Sequence, residues 1–119
     1  MTITIYHNPR CSKSRKTLNL IEEAGLEPEI VNYLDNPPAA ARILELAATL
    51  GLPVAELLRR NEEEFRNADD VPAIEDNDAL AAWVEKHPRV LQRPIVIDDA
   101  AGAAVIGRPP ENVQKLLQK

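Results

Sequence analysis

The sequence predicts an α/β fold in a single domain over residues 1–119: one mixed β-sheet with a helical insertion over about 37–90. Three observations predict it. The β-branched apolar runs lie only near the two ends, in TITIY, EIVNY, PIVI and AAVI. The first runs alternate strand, helix, strand, the order of a parallel βαβ unit. The middle has apolar residues at helical spacing, punctuated by proline and glycine.

Thr2–Tyr6 reads as the first strand, and Leu18, Ile21 and Ala24 mark a helix over Ser12–Ala24 that Gly25 stops. Glu29–Tyr33 is the second strand, and Asn36-Pro37-Pro38 breaks the chain. Proline is tolerated at a helix start because its missing N–H would lack an intrahelical partner. A helix with Ile43, Leu46, Ala47 and Leu50 inward follows, closed by Gly51. Pro53 opens a short one with Val54, Leu57 and Leu58 inward. Residues 61–76 are acidic and polar, expected as surface turns with a helical piece. Asn77–Lys86 is a helix with Leu80, Trp83 and Val84 on one side, ended by Pro88. Pro94–Ile97 and Ala103–Ile106 pair as antiparallel strands around an Asp98–Gly102 hairpin loop. Pro109-Pro110 then starts a last helix with Val113, Leu116 and Leu117 inward.

A chain of 119 residues can bury a core without disulfides or structural metal. The net charge of −5 argues against general nucleic-acid binding, which needs a basic surface. No apolar run approaches the ~20 residues of a membrane span, and no secretory leader is apparent. One cysteine cannot form an internal disulfide, so a cytoplasmic location is expected. Two histidines and one cysteine leave no zinc-ligand spacing, and the Glu62–Glu64 and Asp69-Asp70 runs read as solvated surface. His87 fits a helix C-terminus, where the dipole favours it.

The chemistry is concentrated in HNPRCSKSR, residues 7–15, at the junction of a strand and a helix. A helix N-terminus presents unpaired N–H groups and partial positive charge, which favour a thiolate and cradle an oxyanion. Arg10, Lys13 and Arg15 add charge, and a protonated His7 would add more. On this reading Cys11 is a nucleophile; on the other it is an inert, buried small hydrophobe. Ser14 stands where a dithiol C-x-x-C motif would carry its second cysteine. A one-cysteine site can form an adduct or a mixed disulfide but needs a thiol from outside the chain to resolve it. Arg93 before Pro94 and Arg108 before Pro109 suit bidentate oxyanion binding, although either could be a solvated surface arginine. Arg59-Arg60, at a short helix end, is also explained by dipole placement.

Together YHNPRCSKSR, LLRRN, RPIV and IGRPPE, in this order and at these spacings, resemble the glutaredoxin-coupled arsenate reductase (ArsC type) family, particularly its shorter branch. The resemblance runs from Thr2 to Lys119. It implies a thioredoxin-like, three-layer fold with a cis peptide at Pro94. It also implies roles: Cys11 as the nucleophile that forms an arsenate adduct, and Arg59, Arg93 and Arg108 as the oxyanion holders. His7 and Ser14 would lower the thiol pKa. Glutathione is implied as co-substrate and glutaredoxin as partner, with no bound cofactor and no metal. Two other function classes stand beside it: a glutathione-dependent thiol-disulfide oxidoreductase, which would use Cys11 without needing all three arginines, and a non-enzymatic Spx-like module, which shares the fold and contacts a protein such as RNA polymerase. The Spx branch generally carries C-x-x-C, which Ser14 interrupts here.

Overall fold

A computed structural model describes residues 2–117. The chain divides into two units, one from the described residues of Met1–Asn36 and Arg93–Lys119, the other from Pro37–Gln92.

The first unit is a four-stranded mixed sheet with helices. Its strands are β1 (Ile3–His7), β2 (Glu29–Asn32), β3 (Ile95–Asp98) and β4 (Ala103–Ile106), in the order β2-β1-β3-β4. β1 runs parallel to β2 and antiparallel to β3, with Ile5 opposite Ile30 and Val96; β4 closes the hairpin with β3. The two central strands are buried along their whole length, as their near-continuous apolar sequences require. β2 is an edge strand, and its Ile30 is 46% exposed. Helices α1 (Ser12–Glu23) and α5 (Val113–Leu117) pack together, and Ile21, Val113 and Leu116 join Ile3, Ile5 and Val96 in one core.

The sequence pattern puts Leu18, Ile21 and Ala24 inward on α1. The structure buries Ile21 fully and packs Leu18 partly buried against the core, but it also buries Ser14 and Thr17 and leaves Ala24 exposed. The half of α1 nearest the cysteine therefore turns hydroxyls, not hydrocarbon, into the unit. Thr17 is satisfied within its own helix, its Oγ1 donating to the Lys13 carbonyl at 2.8 Å. The expected hairpin loop also begins one residue late. Asp98 is the last residue of β3, buried, and its Oδ1 accepts from the N–H groups of Thr2, Ala100 and Ala101 at 3.1–3.2 Å. Burial pushes its carboxyl up, but the three donors outweigh this and hold it below the usual range.

The second unit is helical. α2 (Ala40–Leu50) packs on α4 (Asn77–Lys86), burying Ile43, Leu46 and Ala47 on the one and Leu80, Ala81, Trp83 and Val84 on the other. Gly51 caps α2 at φ +71°, a left-handed conformation that suits glycine. The acidic stretch contains α3 (Glu63–Asn67), which buries no residue of its own. Its surroundings are tied to Trp83: Phe65 meets the indole edge-to-face, and Trp83 Nε1 donates to Asp70 at 3.0 Å. His87 has more than a helix dipole for a partner, since it stacks on Trp83 and lies 2.7 Å from Glu64 Oε1. Residues 57–59 are laced to 90–92: Gln92 N–H donates to the Leu57 carbonyl at 2.7 Å, and Arg59 N–H to that of Val90 at 2.6 Å.

Candidate active site

Cys11 is the N-cap residue of α1 and half-buried. The loop before it is held by its own first turn. Cys11 N–H donates to the Asn8 carbonyl at 3.0 Å, Arg10 N–H to Asn8 Oδ1 at 3.0 Å, and Asn8 N–H to Ser14 Oγ at 3.1 Å. Arg15 Nη1 donates to the Pro9 carbonyl at 2.9 Å. Asn8, which was not among the residues singled out from the sequence, is thus the hub of the loop, and it is only 7% exposed. Its signal was its place directly after a strand, where a short amide side chain can fold back on the backbone.

Serine or aspartate usually fills an N-cap and bonds the free amides. Cys11 fills it here without a side-chain cap hydrogen bond of that kind. Burial pushes the thiol up. The amides of Ser14 and Lys13 and the guanidinium of Arg93 outweigh it, and the thiol pKa is lowered. The basic neighbours Arg10, Lys13 and Arg15 are exposed, and the side-chain cation that acts on the sulfur is the distant Arg93.

Arg93 also donates from Nη1 to the Tyr33 hydroxyl at 3.4 Å, while its Nε is buried without a hydrogen-bond partner. Its peptide bond to Pro94 is cis, as the resemblance implies, and so is Arg108–Pro109. Arg108 Nη1 donates to the Arg93 carbonyl at 3.3 Å, so two of the three arginines are connected. Gly107 locks this corner. Its N–H donates to the Pro94 carbonyl at 2.9 Å, and a Cβ built on it would lie 2.6 Å from Thr17 Oγ1 and 2.8 Å from Pro94 Cγ. Only glycine lets β4's end approach both Pro94 and α1. Arg59 belongs to the second unit, where its Nη1 lies 3.0 Å from Glu62 Oε2.

His7 and Ser14 do come together, with Nδ1 and Oγ 2.6 Å apart, and Ser14 is fully buried. His7 does not add the positive charge that its protonation would supply. Burial and then the charge of Arg15 lower its pKa, which leaves the ring neutral at pH 7. Two clefts border the loop: one of about 360 Å³ lined by His7, Asn8, Arg10 and Asp35 among others, one of about 450 Å³ by Ser12, Lys13, Lys16 and Pro110 among others. Among the described residues no group of three or more His, Cys, Asp or Glu is placed to hold a metal ion, and no helix is long and apolar enough to cross a membrane.

Known proteins resemble this arrangement along nearly its full length. An arsenate reductase of Neisseria meningitidis serogroup B is 44% identical over 117 residues, covering 97% of both chains. An Escherichia coli K12 protein described as uncharacterized, YfgD, is 44% identical over 97% of this chain and 96% of its own. The solved arsenate reductase of Vibrio cholerae superposes with a TM-score of 0.88 at 40% identity, covering 97% of each chain. These neighbours give the fold its thioredoxin-like class. The ArsC family model matches residues 6–116, from the end of β1 through α5, and the chain belongs to the ArsC family.

Proposed function

We propose that the protein is an arsenate reductase that works through Cys11 with glutathione and glutaredoxin as reductant. This reading is carried by the place of Cys11 at the start of α1, where the helix amides and Arg93 act on its sulfur and lower its pKa, in a chain 38–44% identical to arsenate reductases. The thiolate attacks arsenic and an arsenate oxygen leaves as water after protonation, giving a Cys11–arsenic adduct. Arg93, Arg108 and Arg59 hold the oxyanion and the charge that builds on it. The buried, unpartnered Nε of Arg93 supports this, since a buried donor without an acceptor is costly unless something uses it. His7 acts as a neutral partner that orients Ser14, whose amide faces the sulfur.

Glutathione sulfur then attacks Cys11 sulfur. Arsenic leaves as arsenite with the electron pair of the S–As bond, and a Cys11–glutathione disulfide forms. Glutaredoxin removes the glutathione by thiol exchange and regenerates Cys11. The balance is one arsenate and two thiols to one arsenite, one disulfide and water. The test is arsenate-dependent turnover with glutathione, glutaredoxin and a coupled reductase. Turnover is expected for the native protein and none for Cys11→Ser; equal rates in the two would sink the proposal.

A further inference from the structure

Of the three arginines assigned to the oxyanion, Arg59 is ion-paired with a carboxylate. Glu62 Oε2 lies 3.0 Å from Arg59 Nη1, and the two side chains are only 18% and 25% exposed. Arg93 instead meets the Tyr33 hydroxyl and the Cys11 sulfur, and Arg108 the Arg93 carbonyl. Arg60, next in the chain, donates to the Ala55 carbonyl at 3.5 Å. Glu62 is held in place from its own backbone, its N–H donating to the Arg59 carbonyl at 2.9 Å, and its Oε1 lies 4.0 Å from Arg89 Nε. A carboxylate offers a guanidinium the same pair of oxygens as one edge of a tetrahedral oxyanion.

We propose that Glu62 is a built-in counter-anion that competes with the oxyanion for Arg59 and so sets its affinity. The inference rests on the reading of Arg59 as an oxyanion holder. An incoming dianion must displace or outbid Glu62, and the Glu62 charge repels it during the exchange. The carboxylate weakens the hold of Arg59 on any tetrahedral oxyanion, arsenate and sulfate alike. Glu62 is an affinity-setting residue on this account, and acts on binding rather than on the thiol.

The experiment measures the arsenate and sulfate concentrations that half-protect Cys11 from alkylation by iodoacetamide, which needs no turnover. Five proteins are compared: the native chain, Glu62→Gln, Arg59→Ala, the double variant, and Glu63→Gln as an exposed control for charge alone. Glu62→Gln should tighten both anions about two- to fivefold, the size of a partly buried ion pair. Glu63→Gln should leave them unchanged, Arg59→Ala should weaken arsenate, and Glu62→Gln should have no effect in the Arg59→Ala background. Weaker binding by Arg59→Ala with no gain from Glu62→Gln overturns the competition and leaves the oxyanion site standing. A gain that persists without Arg59, or that Glu63→Gln matches, also overturns it. Unchanged binding in Arg59→Ala, or no protection in any protein, removes the reading of Arg59 and the inference with it.

Discussion

Gly107→Ala probes the corner that presents Arg93 to Cys11. The added methyl would sit 2.6 Å from Thr17 Oγ1, 3.0 Å from Thr17 Cγ2 and 2.8 Å from Pro94 Cγ. Comfortable contacts of this kind lie near 3.5–4.0 Å, so each neighbour must retreat by roughly 1 Å. Neither can do so by a simple swing. Thr17 is fully buried on α1 with its hydroxyl bonded to the Lys13 carbonyl, and Pro94 is a ring joined to β3. Overpacking of this kind costs about 1–3 kcal/mol. At about 2 kcal/mol, a domain of this size melts roughly 6–10 °C lower. The displacement also parts α1 from the Arg93–Pro94 corner, so the thiol loses part of the guanidinium's help and its pKa rises. Thermal unfolding gives the first quantity, and the pH dependence of iodoacetamide alkylation gives the second. Gly107→Ala/Thr17→Ala should recover part of both, because two of the three close contacts are to Thr17. A melting temperature and a thiol titration both unchanged in Gly107→Ala would refute the argument.

Three further expectations follow from the same geometry. Arg93→Ala removes the cation on the sulfur, so the alkylation profile should move to higher pH and the rate at pH 7 should fall severalfold; an unmoved profile would mean that the α1 amides alone set the thiol. His7 is neutral in the native state, with its pKa lowered from 6.5 by burial and by Arg15. The unfolded chain therefore takes up a proton first as pH falls. The stability that His7 contributes is complete above pH 6.5 and is lost from there down toward its folded pKa. Urea unfolding should show this slope in the native protein and not in His7→Asn. Asp98→Ala leaves the Thr2, Ala100 and Ala101 N–H groups without their acceptor, and should cost about 1–2 kcal/mol in urea unfolding at pH 7. The folded carboxyl of Asp98 is lowered, so its contribution is present above the unfolded pKa and fades as pH falls through the folded one. The gap between native protein and Asp98→Ala should narrow in acid; a gap constant to pH 2 would contradict the assignment.

The strands and long helices were legible because their signals are local. β-branched runs, helical apolar spacing and stop glycines act within a few residues, and β1, β3, α2 and α4 formed where those signals fell. What the pattern missed depends on partners far along the chain. On α1, Ser14 and Thr17 look like surface residues, yet both are fully buried. Ser14 meets His7 and Asn8, and Thr17 faces Gly107, ninety residues later in sequence. Periodicity counts hydrocarbon, so it cannot see a helix face buried for its hydroxyls. The cysteine site divides the same way. Its place at a helix start was readable, but Arg93 as the cation on the sulfur depended on cross-chain geometry. The nearby Arg10, Lys13 and Arg15, which looked stronger in sequence, stay at the surface.

The choice of a thiol for the cap of α1 ties the start of that helix to its chemistry. A serine there would be the same group in every state of the protein. Cys11 is successively a thiolate, an arsenic thioester and a glutathione disulfide in the proposed cycle, and each presents a different acceptor to the same amides. The N–H groups of Lys13 and Ser14 are therefore natural reporters. Their amide resonances should move with each state of the sulfur, while those of Ile21 and the rest of the apolar core stay still. A two-dimensional amide spectrum would then follow the cycle from inside the backbone, with no label on the cysteine itself.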